Sequence, residues 1–407
     1  MTGYDGTFPA FQIPFKKEEP CFRRGRLRSE LEKKIIKQKL EELIEDGYAE
    51  VAPPHCQFGS ETVLAAKKDE MGDWLDVRWC GDYRAINDRS EKRHYRTQLP
   101  DELFKRFDHS EFMSKIDLKA GYYQCQMTED AKNKTAFWAG GRLYRYTRMP
   151  FGPTGAPSYF QELMDFTFQS FEFVEAYLDD LLIFSKDAEE HIQHIGMVLD
   201  RLIEVNLKIH PSKSVFAAQS VEYLGYELQP GRLTPHEAKT KAIRELKTPT
   251  TVSELRAVYG LLSYYRCFDP LFAQIENPLH ALMGGGGPTN FKAAWTTDCD
   301  IAYQKLKDNL CRDGLAVRNP DITKEYILHT DWSKFGIGAV LAQKDDNGHE
   351  YMIACISRSL NKHERNYPSF EGEMLAVVWA IKSFRHYLEG EHFKVITDHA
   401  PLTYLRN

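Results

Sequence analysis

With 407 residues the chain has room for two or three domains, each with its own core, and a content of 42% hydrophobic and 13% aromatic residues excludes a disordered protein. The formal net charge of −6 carries no basic signature of a nucleic-acid binder, a weak argument because a site for divalent ions is itself rich in carboxylates. Eight scattered cysteines without a C-x-x-C pair exclude a zinc knuckle and a disulfide framework, and neither a signal peptide nor a membrane span is expected.

Residues 29–46 read as a charged amphipathic helix, with Ser29 and Glu32 as a capping box, Leu31, Ile35, Leu43 and Ile44 at helical spacing and Gly47 as its stop. The basic stretch Arg23–Arg28 before it reads as a solvated segment or a phosphate contact. Residues 61–66 and 75–83 are strand-like around a turn whose Lys67 and Lys68 suit either solubility or a finger over a triphosphate. Residues 112–127 read as strand, break, then strand or helix, with Ile116-Asp117-Leu118 at the break. Further on, Val174-Glu175-Ala176 and Leu181–Ser185 flank Tyr177-Leu178-Asp179-Asp180 as an apolar hairpin. From Pro235 to Phe272 the pattern is helical with a break at Pro249, and Thr250 or Thr251 caps a helix from Val252 to Tyr265. The run Gly284–Pro288 is a loop or linker. A last unit starts near Asp321, with strands at 326–330, 336–343 and 351–357, a helix at 370–388 and a strand at 393–397.

Asp179-Asp180 is the informative pair. Adjacent acids favour a solvated turn, but inside an apolar run they repel and call for a metal ion or a cationic partner. Asp117 favours the metal reading: it closes a strand sixty-two residues earlier, far enough for the hairpin to return beside it in one sheet. Three acids from two adjacent strand ends suit two divalent ions, one for a hydroxyl nucleophile and one for a leaving pyrophosphate.

In order along the chain, Ser114–Gln124 (SKIDLKAGYYQ), Lys134-Thr135-Ala136-Phe137, Met149-Pro150-Phe151-Gly152 and Tyr177-Leu178-Asp179-Asp180 resemble the motifs of reverse transcriptases of the Ty3/gypsy class of long-terminal-repeat retrotransposons. The resemblance implies that Asp117, Asp179 and Asp180 bind two magnesium ions, with manganese as an alternative, and that Tyr122 is the aromatic gate against a 2′-hydroxyl. It places Arg78 and either Lys67 or Lys68 on the triphosphate, Phe151 and Gly152 against the incoming base and template, and Lys213 at the pyrophosphate, where the alternative is a plain surface lysine. Leu224 and Gly225, within Tyr223–Tyr226, resemble the primer grip. Pro153, Gly155 and Gly81 depart from the family pattern; Pro153 suits a helix first turn.

In the last unit Asp331, Glu373 and Asp398 fall on a strand, a helix and a strand, a placement that suits convergence on a metal pair. They resemble the acids of the ribonuclease H domain of the same elements, with Glu371 as a competing helix acid. That family domain has a fourth carboxylate further on, so an incomplete domain and an excised piece of a polyprotein are expected. His191 and His194, with no third ligand nearby, read as a solvated helix face.

These readings predict an α+β chain with the right-hand polymerase fold of fingers, palm and thumb, followed by a truncated ribonuclease H-like α/β domain. The expected boundaries are an N-terminal extension over 1–55, fingers and palm over 56–230, a helical thumb and connection over 231–320 and the ribonuclease H-like part over 321–407. The expected activity is RNA-directed DNA polymerisation. Its partners would be an RNA template, a DNA primer, their RNA–DNA hybrid and deoxynucleoside triphosphates, in the cytoplasm, in a virus-like particle, or in the nucleus, with the oligomeric state left open. The rival reading is a catalytically inert, decayed or domesticated relic that still binds nucleic acid.

Overall fold

The computed structural model describes residues 3–23, 27–68, 74–93, 95, 107, 110–284 and 287–397. The chain divides into two compact units, Met1–Tyr223 and Leu224–Asn407.

In the first unit α1 (Glu30–Glu45) opens on the expected capping box: Ser29 Oγ accepts the Glu32 amide and the Glu32 carboxylate accepts the Ser29 amide. Its buried line runs through Ile36 and Leu40, four apart; Leu31 falls off that line and is exposed, as is Ile44 at the end of the helix. Strand β1 (Ala49–Val51) follows, then the antiparallel hairpin of β2 (Thr62–Lys68) and β3 (Trp74–Gly81). The central sheet takes β4 (Phe112–Asp117) as an inner strand, while β5 (Phe137–Ala139) and β6 (Arg142–Tyr146) pair with β1 as a separate three-stranded sheet.

Helix α2 (Ala156–Phe168) then packs along β7 (Val174–Tyr177), which turns back into β8 (Asp180–Ser185), and α3 (Ala188–Glu204) packs along β8. Strand β9 (Val215–Ala218) completes the central sheet in the order β9-β4-β8-β7, all antiparallel. Alternation along the strands sends Ile116, Leu181 and Ile183 into the main core at no exposure, beside Phe137, Phe160 and Leu163. Lys115, Asp117 and Asp180 therefore share the other face. Each fully buried aliphatic side chain contributes roughly 1.5–3 kcal/mol, which fixes the register that brings the acids together.

The second unit begins with β10 (Tyr226–Gln229) and β11 (Arg232–Pro235), to which the short β12 (Val317–Arg318) adds a third strand. Between β11 and β12 run α4 (Glu237–Glu245), α5 (Val252–Tyr264), α6 (Phe272–Ile275) and α7 (Thr297–Leu310). Thr251 is the cap of α5, its hydroxyl accepting the Glu254 amide, while Thr250 binds the Glu254 carboxylate. The last sheet has the order β15-β14-β13-β16, from β13 (Tyr326–Trp332), β14 (Gly336–Lys344), β15 (Glu350–Ser359) and β16 (Phe393–Ile396); β16 is parallel to β13 and the other pairs are antiparallel. Helix α8 (Ser369–Ser383) covers one face, where Leu328 meets Ala380 and Ile337 meets Ala376.

Candidate active site

Asp180, the first residue of β8, stands directly opposite Asp117, the last residue of β4. Between Tyr177 and Asp180 the chain turns through Leu178, whose φ of 52° lies in the left-handed region that leucine rarely adopts. The buried Gln161 of α2 holds that turn: its side-chain oxygen accepts the Leu178 amide at 2.8 Å and its side-chain nitrogen donates to the Ala176 carbonyl at 2.7 Å. Asp179 then lies over Gly121, where a Cβ would come within 2.2 Å of Asp179 Oδ1. Only glycine permits this approach.

The acids carry the expected strain of shared negative charge. Burial, with Asp117 and Asp180 adding to it and Lys213 opposing, pushes the Asp179 carboxyl up to about 6. Asp179 Oδ1 is buried and has no hydrogen-bond partner. Burial also raises Asp180, but Lys115 pulls it down: Lys115 Nζ sits 3.1 Å from Asp180 Oδ2, with only 20% and 25% of the two side chains exposed. Lys115 is two residues before Asp117 on the same strand face, so one ammonium neutralises part of the cluster. Among the described residues no three His, Cys, Asp or Glu side chains form a ready-made metal cage; at this site the Asp180 carboxylate is turned onto Lys115. An orphaned buried oxygen beside two further carboxylates nevertheless fits a divalent cation in place of that ammonium.

Around the acids the backbone is pinned. The His210 amide donates to the Asp117 carbonyl at 2.7 Å, Leu118 donates to the Asp179 carbonyl at 3.2 Å, and the Asp117 amide donates to Ser214 Oγ at 3.2 Å. Tyr122, in a short 3₁₀ turn after Gly121, is buried and stacks on Phe151 with ring centroids 4.9 Å apart and 28° between planes. Burial and then the Asp179 charge push its hydroxyl up to about 12. Asn87 fixes the Phe151-Gly152 turn by donating to the Gly152 carbonyl at 3.0 Å and accepting the Thr154 amide at 2.9 Å. Pro153 lies in that turn, ahead of α2 and not in its first turn, where its missing N–H is not needed.

Residues 66–228 match the family described as reverse transcriptase (RNA-dependent DNA polymerase), and residues 321–407 match the RNase H-like domain found in reverse transcriptase. The retrovirus-related Pol polyprotein from transposon 297 of Drosophila melanogaster is 34% identical over 374 residues, 91% of this chain and 34% of that protein. The corresponding polyprotein from transposon gypsy is 32% identical over 386 residues, 91% of this chain and 36% of the relative. The Tf2-3 polyprotein of Schizosaccharomyces pombe is 31% identical over 330 residues, 80% of this chain and 24% of the relative. This chain belongs to the reverse transcriptases of Ty3/gypsy-type Pol polyproteins. It spans about a third of the length of the relatives from transposons 297 and gypsy. A foamy viral protease-reverse transcriptase in complex with double-stranded DNA shares its fold, with a TM-score of 0.82, 21% identity and coverage of 100% of this chain and 69% of the other. The same viral enzyme in complex with an RNA/DNA hybrid gives a TM-score of 0.78 at 20% identity, over 98% of this chain and 52% of the other. The α+β polymerase fold followed by a ribonuclease H-like domain is thus shown.

The other residues that the reverse transcriptase resemblance singled out are placed unevenly. Lys67, Lys68 and Arg78 lie on β2 and β3, with Arg78 opposite Ala65, and their side chains lie outside what is described. Lys213 is exposed in a short 3₁₀ turn, yet its charge reaches Asp179. In the second unit Leu224 and Gly225 take consecutive left-handed backbone, φ 53° and 78°. Tyr264 and Tyr265 clamp that turn, donating to the Leu224 and Gly225 carbonyls at 2.6 and 3.0 Å.

The ribonuclease H-like acids are not drawn together among the described residues. Asp331 pairs with Gly338, and a Cβ on Gly338 would come within 2.2 Å of the Pro270 carbonyl oxygen, so both face the segment leading into α6. Asp331 Oδ2 accepts from Gln274 Nε2 of α6 at 2.6 Å. Glu373 is buried in α8, which packs on the opposite face, and Asp398 lies outside the described residues. His191 is a correction: it is 1% exposed, not solvated, because its Nε2 meets Ser114 Oγ at 2.7 Å and its Nδ1 meets Ser185 Oγ at 2.8 Å. His194 shares Ser185 and stacks on Phe173 at 3.6 Å. The sequence motifs single out neither Lys115 nor Gln161, although Lys115 stands two places before a strand-end acid, which is a usable signal.

Two predictions test this electrostatic arrangement. Asp179 binds its proton near pH 6 when folded and near 3.8 when unfolded, so stability falls as pH rises through that window. Metal-free protein is expected to melt higher at pH 5 than at pH 7, and Asp179→Asn to flatten the difference; equal slopes would refute the assignment. Lys115→Met is expected to cost about 1–2 kcal/mol in EDTA and to tighten magnesium binding measured by calorimetry. Unchanged melting and unchanged affinity would show that Lys115 does not compensate the acids.

Proposed function

We propose that this chain is an RNA-directed DNA polymerase, in which Asp117, Asp179 and Asp180 hold two magnesium ions and a primer 3′-hydroxyl attacks the α-phosphate of a deoxynucleoside triphosphate. The observation that carries the reading is the buried, unpartnered Asp179 Oδ1 beside two further carboxylates at adjacent strand ends. When bound, such ions lower the pKa of the hydroxyl and neutralise the pyrophosphate.

The chain's own residues do the rest. Register in the central sheet positions the acids, and Gln161 keeps the turn from relaxing. The Tyr122 ring, backed by Phe151 and Phe160, forms a rigid wall against a 2′-hydroxyl. Arg78 with Lys67 or Lys68 supplies positive charge to the triphosphate, Lys213 sits on the pyrophosphate side, and Leu224-Gly225 grips the primer. RNA template, DNA primer and their hybrid are the proposed partners, in a cytoplasmic virus-like particle or in the nucleus. Among the described residues no helix is long and apolar enough to cross a membrane.

The ribonuclease H-like part supports a holding role over cutting, because Asp331 is bonded to Gln274 and faces away from the helix that bears Glu373. Hybrid incubated with this chain and magnesium is expected to stay intact; cleavage lost in Asp331→Asn would overturn the holding role.

Primer extension on poly(rA)·oligo(dT) with magnesium tests the polymerase reading. The parent chain is expected to extend, Asp179→Asn to lose at least about a hundredfold in rate, and Tyr122→Ala to admit ribonucleotides. No extension by the parent chain would favour the inert relic.

A further inference from the structure

The second unit contains a cavity of about 500 Å³ that the chemistry above leaves unused. Three arginines line it, Arg232, Arg312 and Arg318. Arg232 and Arg318 stand directly opposite each other on β11 and β12, a like-charge cross-strand pair that is unfavourable unless an anion sits between or beside them. Arg232 Nε is buried and has no hydrogen-bond acceptor, and among the described residues none of the three guanidinium groups has a carboxylate within ion-pairing distance. Arg318 lies over the Tyr351 ring at 5.2 Å, which orients its fork. The carboxylate on the wall, Glu350, is already committed to His329 Nε2 at 2.9 Å. Asp345 feels the Arg318 charge, but its Oδ1 is taken by the Asn347 and His349 amides. The cavity thus concentrates unspent positive charge in a chain whose total is −6.

His329 on the wall is two residues before Asp331 on β13, so the cavity opens on the sheet face that carries Asp331, away from α8. We propose that this cavity is a subsite for the phosphates of the template–primer backbone, with Arg232 and Arg318 as its paired forks and Arg312 at its rim. Guanidinium forks match phosphate oxygens, and a phosphate supplies both the acceptor that Arg232 Nε lacks and the charge that relieves the cross-strand pair. The ligand identity rests on the polymerase reading; the anion site does not.

The test uses the full chain and a labelled RNA–DNA hybrid, with binding followed by fluorescence anisotropy from 50 to 300 mM salt. Arg232→Gln and Arg318→Gln are each expected to weaken binding about three- to tenfold and to flatten the salt dependence by about one ion, and the loss should appear in KM for the hybrid, not in kcat. Neither variant should melt lower than the parent, since each relieves a like-charge pair. Lys382→Gln, on the helix covering the other sheet face, should bind as the parent does. Unchanged affinity and salt slope in the arginine variants, or an equal loss in Lys382→Gln, would overturn the proposal. So would stabilisation of the parent by tripolyphosphate, lost in Arg232→Gln, with hybrid binding untouched, which marks a free-anion site. Primer extension by the parent, measured beside the binding assay, separates failure of the subsite from failure of the polymerase reading.

Discussion

Like charges gathered at the ends of apolar strands set the terms for the first unit. Two unit charges about 4 Å apart repel by roughly 4 kcal/mol at an effective dielectric near 20, and partial burial adds a desolvation cost for each. Against this stand Ile116, Leu181, Leu182 and Ile183, all fully buried on the two strands that carry the acids. At roughly 1.5–3 kcal/mol for each side chain their burial outweighs the repulsion, so the hairpin forms with the acids in place. Lys115 removes part of what is left, and the raised Asp179 carboxyl shows that some remains.

That residue of unfavourable energy explains the local architecture. Leu178 sits in strained backbone because the turn must deliver Asp179 to Gly121, and Gln161 supplies two hydrogen bonds from a neighbouring helix to hold it. Asn87 does the same for the turn of Phe151 and Gly152. The hydrogen bonds of the Gln161 clamp are partly buried and those of the Asn87 clamp exposed, and both reach across the chain, so the site is held by contacts that the strands alone do not make.

Much of this was legible in the sequence where the signal is periodic or local. The capping box of Ser29 and Glu32, the acid-bearing hairpin and the strand, helix and strand order after Asp321 all follow from spacing within a few residues. Residues that act through register were not legible. Gln161 meets Leu178 only because α2 packs on β7, and Arg232 faces Arg318 only because β12 returns to β11 after the 81 residues 236–316. His191 misled for a related reason: histidines three apart on a helix look alike whether the face is wet or carries buried serine partners.

The two acidic sets also differ in how they are closed. Asp180 is held by an ammonium, a partner that a divalent cation would replace on the proposed polymerase reading. Asp331 is held by a neutral amide of α6, and the segment leading into that helix lies so close that Gly338 has no room for a methyl group beneath Pro270. Freeing Asp331 takes a turn of the Gln274 side chain away from it, beside backbone already packed close against the sheet. The same chemical group, a strand aspartate, faces a cation in one unit and a neutral amide in the other. The arginine-lined cavity lies on the sheet face that carries Asp331, so what this face offers to a nucleic acid is positive charge at the cavity and a covered carboxylate beside it.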